Sequence, residues 1–441
     1  MKKNTLTLFA LFIVIITNQL KAQSYVGYAV DNYSGVQSLI SNPSNVVDSR
    51  FKGHVNLFSA SVFGGSDYFG INVGDILKSD GGFNLDTDAK KFPTDANNFF
   101  LNADILGPSF MFNLSPKSSI GALSRVRTLF NINNISGVLY ESINNGFDMN
   151  ENFDFNSKNL TGTVHAWAEI GLVYGRILID NDKNFLKAGV TLKYLQGAGG
   201  LFLNSPNFTG QYNATNRTLN TTGTLQYGIS EDFDNSDIEF NNLTPGFGAD
   251  IGFTYELRTR SDLDSLSRKH NKYKLKIGAS ITDIGSVNYK ESVVTTYDLN
   301  NTTDASDFDE DTQEFLDADY SSTEETIAQK LSLPTAFHLL LDYNIKNKLY
   351  VSLQTNLSLV NKDTANSNSI INSVTLAPRL ETKWISIYSP ISFRQYGDVA
   401  WGGGVRLGPL MLGSGSVLSN LFSPSSKTTD VYLGLTIPLY Q

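Results

Sequence analysis

The 441-residue chain contains no cysteine, which excludes disulfides and every metal site built on thiolate ligands. Four histidines leave little material for a histidine metal cluster, and no cofactor is expected. Charged residues make up only 17 %, below the usual quarter. The formal net charge is −9 with no basic stripe, so nucleic acid is excluded as a partner. Beyond residue 22 there is no apolar run of eighteen residues, so no transmembrane helix is expected. What is abundant is aromatic: 28 Phe and 20 Tyr, enough to bury a core and to rule out global disorder.

The first residues read as an address. Lys2 and Lys3 precede the apolar stretch Leu6 to Ile16, whose length suits the core of a secretory signal and is too short to span a bilayer. Leu20-Lys21-Ala22 resembles a cleavage site, so residues 1–22 are assigned as a signal peptide, the alternative being a membrane anchor or buried strand. Removing three lysines from a chain of charge −9 leaves −12. With no cysteine, lipid anchoring at a lipobox is excluded. An exported chain without a membrane helix is either a soluble secreted protein or an outer-membrane β-barrel.

The hydrophobic pattern decides between them. From Gly246 to Arg258, Phe247, Ala249, Ile251, Phe253, Tyr255 and Leu257 alternate with small or polar residues. Successive strand side chains point to opposite faces, so this is a two-faced strand, and Tyr273 to Thr282 is its partner. The same alternation recurs over 186–194, 336–345, 349–359, 398–407 and 431–439. About fourteen such segments of roughly nine to thirteen residues fit tilted membrane strands, whereas sandwich strands average about five to six. Tyrosines near strand ends (Tyr25, Tyr28, Tyr255, Tyr289, Tyr343, Tyr350, Tyr388, Tyr396, Tyr432, Tyr440) read as interfacial girdles. The fold expected is all-β: a transmembrane antiparallel β-barrel of about fourteen strands, closed because hydrocarbon tolerates no unpaired backbone.

If the apolar face meets lipid, the other lines the lumen. The charged residues placed there are Glu169, Lys187, Lys193, Asp250, Glu256, Lys274, Lys276, Asp342, Arg379, Glu381, Lys383, Arg394, Asp398 and Arg406. Acids and bases fall on neighbouring strands, Asp250 and Glu256 beside Lys274 and Lys276, so cross-strand ion pairs are expected. Two readings stay open: a narrow polar conduit, or a filled interior with no pore.

From Glu291 to Gln329 there are twelve Asp or Glu and no Lys or Arg, which reads as a long solvated loop. Its Asp307, Asp309 and Asp311 imitate a calcium loop, but Thr312 and Ala318 stand where Gly and Glu are needed. Catalysis is not expected. His165 with Glu169, and His338 with Asp342, are four residues apart on one strand, roughly 13 Å, beyond hydrogen-bond reach. No nucleophile elbow, zinc-binding or phosphate-loop motif occurs.

Val36, Leu39 and Ile40 have helical spacing before Asn42-Pro43 breaks the run, suggesting a short helix that plugs the barrel, or else a periplasmic tail. Asn42-Pro43-Ser44 after such a helix resembles the Asn-Pro-Ala motif of the long-chain fatty-acid transporter (FadL-like) barrels, with Ser44 in place of Ala. That resemblance implies fourteen strands with an N-terminal hatch. The secretion-channel partner PorV is similar to them. The chain more closely resembles a Bacteroidota outer-membrane family of unknown function, through residues 41–51, Pro245 to Asp250, Leu333 to His338, Leu407 to Ser414 and the last strand. The organisation expected is a signal peptide at 1–22, a plug at 23–50 and a barrel at 51–441. The resemblance implies a channel or transporter for small or amphipathic solutes in the cell outer membrane, or a non-transporting scaffold docking a secretion or assembly complex. Outer-membrane lipid and the barrel-assembly machinery are the other partners expected. A charged lumen departs from the apolar pocket that a fatty-acid conduit needs, so the likeness fixes architecture better than activity.

Overall fold

The computed structural model describes residues 25–72, 88–230, 233, 243–258, 271–308, 312–396 and 398–440. The proposed signal segment at 1–22 lies outside them.

Fourteen antiparallel strands close into a barrel. They are β1 Phe51–Ser66, β2 (Asn97–Leu106 and Ser109–Ser115), β3 Ser118–Ile135, β4 Phe153–Asp180 and β5 Asn184–Asn213. Then come β6 (Thr218–Ser230 and Thr244–Arg258), β7 Tyr273–Asp298, β8 (Ser321–Ser332 and Ala336–Lys346), β9 Leu349–Ser358 and β10 Ser373–Glu381. The last are β11 (Ile385–Tyr388 and Ile391–Arg394), β12 (Asp398–Trp401 and Gly403–Leu407), β13 Leu410–Ser414 and β14 Thr428–Tyr440. Each pairs with its neighbours in sequence, and β14 pairs with β1 from Phe51↔Tyr440 to Gly65↔Thr428, so no edge is left open.

Breaks within strands have local causes. β2 is interrupted at Gly107-Pro108, since proline has no N–H for the ladder. There the Asn56 carboxamide donates to the carbonyls of Leu106 and Gly107 at 2.9 and 2.8 Å. In β7 a bulge inserts Thr282 and Asp283 between Ile281 and Ile284, and Asp283 takes φ 57°. The bulge turns the Asp283 carboxylate inward, out of step with the alternation.

One end of the barrel carries short turns, among them 116–117, 181–183, 347–348 and 408–409. The other carries long connections with helices α1 Gly137–Asn144, α2 Thr312–Asp319 and α3 Val417–Phe422. In the half near the short turns, apolar side chains face outward: Leu172 and Leu192 are 64 % exposed and Phe247 72 %. The inward face there is Trp167, Glu169, Thr191, Lys193, Asp250 and Thr254, all buried. An apolar exterior around a polar interior is the polarity of a membrane barrel and the reverse of a soluble one.

Towards the long connections this polarity inverts. Phe155, Leu160, Leu219, Leu225 and Tyr297 turn inward and form a core with Phe147, Phe308 and Phe315, while Asp154, Asn156, Lys158 and Asn220 face solvent. This is why β4 and β5 reach 28 and 30 residues, well beyond the nine to thirteen expected. The acidic stretch 291–329 is likewise no simple loop. Its described part continues β7, forms α2 with Phe315 buried, and starts β8, while 309–311 lie outside the described residues.

Candidate functional site

The barrel interior is the one place where all fourteen strands converge, and it is occupied. Residues 25–50 enter at the short-turn end. The short helix and turn take the form of two 3-10 turns, Gly35–Ile40 and Pro43–Val46. Val36, Leu39, Val46 and Val47 pack against Leu106, Leu123, Val173 and Phe185 of the wall. Asn42 caps the second turn: its Oδ1 accepts from the backbone N of Ser44 at 3.0 Å and from Ser44 Oγ at 2.7 Å. Its Nδ2 donates to the Phe253 carbonyl at 3.1 Å, and Ser44 Oγ meets Thr254 Oγ1 at 2.7 Å. The wall is notched to receive this motif, since a Cβ at Gly189 would strike Pro43 and one at Gly252 would strike Asn42.

Six of the tyrosines expected at the membrane interfaces lie instead inside: Tyr25, Tyr28, Tyr289, Tyr350, Tyr388 and Tyr432 are all at most 3 % exposed. Two of them, Tyr388 and Tyr432, hold the N-terminal segment against the wall. Tyr432 Oη donates to the Val26 carbonyl at 2.7 Å and meets Tyr388 Oη at 2.9 Å, with Tyr25 and Tyr28 packed on the pair.

The inward charges pair in networks. In the first, Lys193 contacts Asp250 at 2.8 Å and Asp283 at 2.6 Å, Arg127 contacts Asp283 at 2.8 Å, and Arg125 holds Asp104 at 2.5 Å and Glu169 at 3.2 Å. In the second, Arg379 grips Asp342 with two bonds of 2.9 and 2.8 Å and Glu381 with one of 2.9 Å. Lys276 lies 3.4 Å from Asp342, and the Asn32 side chain donates to Glu381 at 2.9 Å, tying in the N-terminal segment. Elsewhere Arg258 joins Glu256, Asp180 and Asp48, Lys187 donates to the Val47 carbonyl at 2.8 Å, Arg394 pairs with Asp430 at 2.9 Å, and Arg406 with Asp31 at 3.4 Å. Glu256 and Lys276 stand opposite in register but each chooses another partner.

Two of the residues placed in the lumen are elsewhere. Lys274 falls in a bulge where Arg258 pairs with Tyr273 in place of the expected register, and Tyr273 takes the inward position. Its Nζ turns out over the Tyr343 ring, 4.4 Å from the centroid, and bonds the carbonyls of Asn344 and Ile345. Lys383 is exposed in the turn between β10 and β11, 4.6 Å from the Tyr440 ring centroid. Asp398 pairs in register with Arg394, and its side chain lies outside the described residues.

The alternation did flag some of what was missed. Arg125-Val126-Arg127, with Val126 51 % exposed between two buried arginines, has the same period-two signature as the strands that were read. Asp104 between Ala103 and Ile105 is similar, whereas Asp283 is hidden by its bulge. His165 and His338 serve the interior: His165 Nε2 meets Tyr289 Oη at 3.1 Å, and His338 bridges Thr282 at 2.9 Å and Asn356 at 2.7 Å.

Among the described residues two cavities lie beside the N-terminal segment. A lower one of about 80 Å³ is bounded by the N-terminal segment with Lys187, Glu256, Arg258 and Lys276. An upper one of about 110 Å³ lies beyond it, bounded by Phe63, Phe100, Leu129, Arg127 and Ile371. They share Ala29, Ser41, His338, Gln354 and Asn356 as a common neck. The upper cavity is roofed by residues 359–372, the connection from β9 to β10, which folds across the barrel to β3 and β4. Its Asn368 donates to Asn131 Oδ1 and to the Thr163 carbonyl, both at 3.0 Å, the Ser369 backbone N donates to Asn131 at 3.0 Å, and the Lys362 carbonyl accepts from Thr161 Oγ1 at 2.8 Å.

Among solved structures the chain is similar to the TodX deltaS2S3 mutant monoaromatic hydrocarbon channel, with 9 % identity, a TM-score of 0.47, and coverage of 95 % of this chain and 98 % of that one. It is also similar to the Pseudomonas putida toluene transporter TodX, with 10 % identity, a TM-score of 0.44, and coverage of 95 % and 97 %. A Pseudomonas aeruginosa FadL homologue matches with 10 % identity, a TM-score of 0.29, and coverage of 95 % and 98 %. No curated protein matches the chain. Residues 43–415 match the family of unknown function DUF5723 over most of the sequence, and the chain belongs to that family.

Proposed function

We propose that this is an outer-membrane channel for small amphipathic solutes, held closed by the N-terminal segment from one side and by residues 359–372 from the other. The carrying observation is the pair of cavities that meet at the neck of His338, Gln354 and Asn356, inside a barrel whose exterior is apolar. In this orientation the short turns face the periplasm and the acidic, long-connection end faces outward. Proteoliposomes loaded with the purified chain test the reading. Solute entry should exceed that of protein-free vesicles and fall when Ala336→Trp fills the upper cavity. Entry no faster than in empty vesicles, for every solute tried, overturns it.

The dense ion pairing of the interior favours a second reading, a non-transporting barrel that docks a secretion or assembly complex. Co-purification of a stoichiometric partner in mild detergent, together with no solute entry, would support it. Recovery of the barrel alone would dismiss it.

A further inference from the structure

The upper cavity has an apolar side and a polar side. Tyr25, Phe63, Phe100, Leu101, Leu129 and Ile371 supply the first. On the second, the lining residues hold four buried polar atoms with no hydrogen-bond partner: Arg127 Nε, Gln354 Nε2, Asn102 Oδ1 and the Oη of Tyr25, whose ring belongs to the apolar side. Two are donors, one is an acceptor, and the tyrosine hydroxyl can be either. Buried polar groups are seldom left unmatched, and four around one cavity are more than the packing of a finished core leaves behind.

Charge narrows what could match them. Arg127 is 3 % exposed, bonds Asp283 through Nη1, and lies 4.8 Å from the centroid of the Trp167 ring. Arg125 is engaged by Asp104 and Glu169, and Lys193 by Asp250 and Asp283. Four carboxylates thus face three cations in this network. No positive charge is left over for an anionic ligand, and burying a further carboxylate here would go uncompensated.

Size sets the rest. At roughly 30 Å³ per water, a cavity of about 110 Å³ has room for about three or four waters, or for a body about the size of one six-membered ring. We infer that the upper cavity binds a small neutral molecule, with a ring-sized apolar body and one hydroxyl group. The body lies against Phe63, Phe100 and Leu129. The hydroxyl oxygen accepts from Arg127 or Gln354, and its proton goes to Asn102. This deepens the channel reading by naming its solute class, and rests on that reading for the role of the site.

The test uses crystals of the full chain soaked at pH 6 in 4-bromophenol, uncharged there, with 4-bromobenzoate and bromobenzene as comparisons. An anomalous bromine peak is expected in the upper cavity for 4-bromophenol and not for 4-bromobenzoate. Titration calorimetry in lipid nanodiscs should show bromobenzene binding more weakly. Gln354→Leu and Asn102→Leu should each weaken 4-bromophenol by about three- to tenfold, the worth of one neutral hydrogen bond. Waters alone in the cavity, equal occupancy by 4-bromobenzoate, or affinities unmoved by both substitutions in variants that still fold would overturn the inference. Solute entry is measured separately. Binding without entry sinks the channel reading and leaves the site standing, whereas entry without binding sinks the site alone.

Discussion

At the scale of single residues, the interior is held by contacts that tolerate little change. Asp342 is fully buried and serves Arg379, Lys276 and Tyr273 together. Asp342→Leu leaves Arg379 with Glu381 alone, and removes from Lys276 the carboxylate beside it. Breaking a buried pair by deleting one partner costs about 3–5 kcal/mol. Urea unfolding in lipid should show a loss of that size, while Tyr343→Leu on the outward face should cost far less. Gly189 gives a second case. Any Cβ there meets the Pro43 backbone, so Gly189→Val should push the Asn42-Pro43-Ser44 turn off the wall. The barrel strands would stay paired. Limited proteolysis should then cut within residues 25–50 far faster than in the natural chain. The turn itself could be read from the sequence, because asparagine before proline announces a cap. The notch could not, because a glycine facing a distant segment looks the same as one that merely interrupts a strand.

At the scale of elements, the connection 359–372 spans the barrel from β9 and β10 to β3 and β4 on amide and hydroxyl contacts, with the Lys362 ammonium and the Asp363 carboxylate both bonding Asn134. Asn131 alone bonds both Asn368 and Ser369. The neutral bonds contribute about 1 kcal/mol each against water, and those of the partly exposed Lys362 and Asp363 are screened by solvent, so this roof is held more weakly than the buried ion pairs beneath it. The chain has no cysteine, which makes a double substitution clean. Asn131→Cys with Ser369→Cys should cross-link under mild oxidation in the folded protein, visible as a faster-migrating band. Solute entry should fall in the oxidised form and recover on reduction. Failure to cross-link would mean that the connection does not rest on β3. Little of this was legible beforehand. Strand alternation comes from the pleat, and it is easiest to read where lipid on one side makes that whole face apolar. The strand extension after Glu291 still alternates in burial, but it carries polar and apolar side chains on both faces, with Ser292 and Val294 inward and Val293 outward, so its period is not visible in the sequence.

At the scale of the whole molecule, two polarities share one continuous sheet. Near the short turns the apolar residues look out, and near the long connections they look in. On β4 the change falls between Leu160, which is inward and apolar, and Glu169, which is inward and charged. On β5 it falls between Leu192, which is outward and apolar, and Tyr212, which is inward. Only a change of solvent along the barrel explains the reversal. Hydrocarbon surrounds the first zone and water the second. Arginine substitution therefore has a sign that depends on height. At Leu172, Leu192 or Phe253, on the outer surface, it should cost about 2–4 kcal/mol near the bilayer midplane. At Asn156 or Asn220, also on the outer surface but higher, it should cost almost nothing. Leu160→Arg and Leu219→Arg, inward at that upper level, should be as damaging as a buried unpaired charge in any soluble core. Stability of this series in bilayers, measured by urea unfolding, would locate the outer membrane boundary on β4, β5 and β6. Uniform tolerance of outward arginines at both levels would mean that the apolar belt does not face lipid, and that the barrel takes its place in a membrane in some other way.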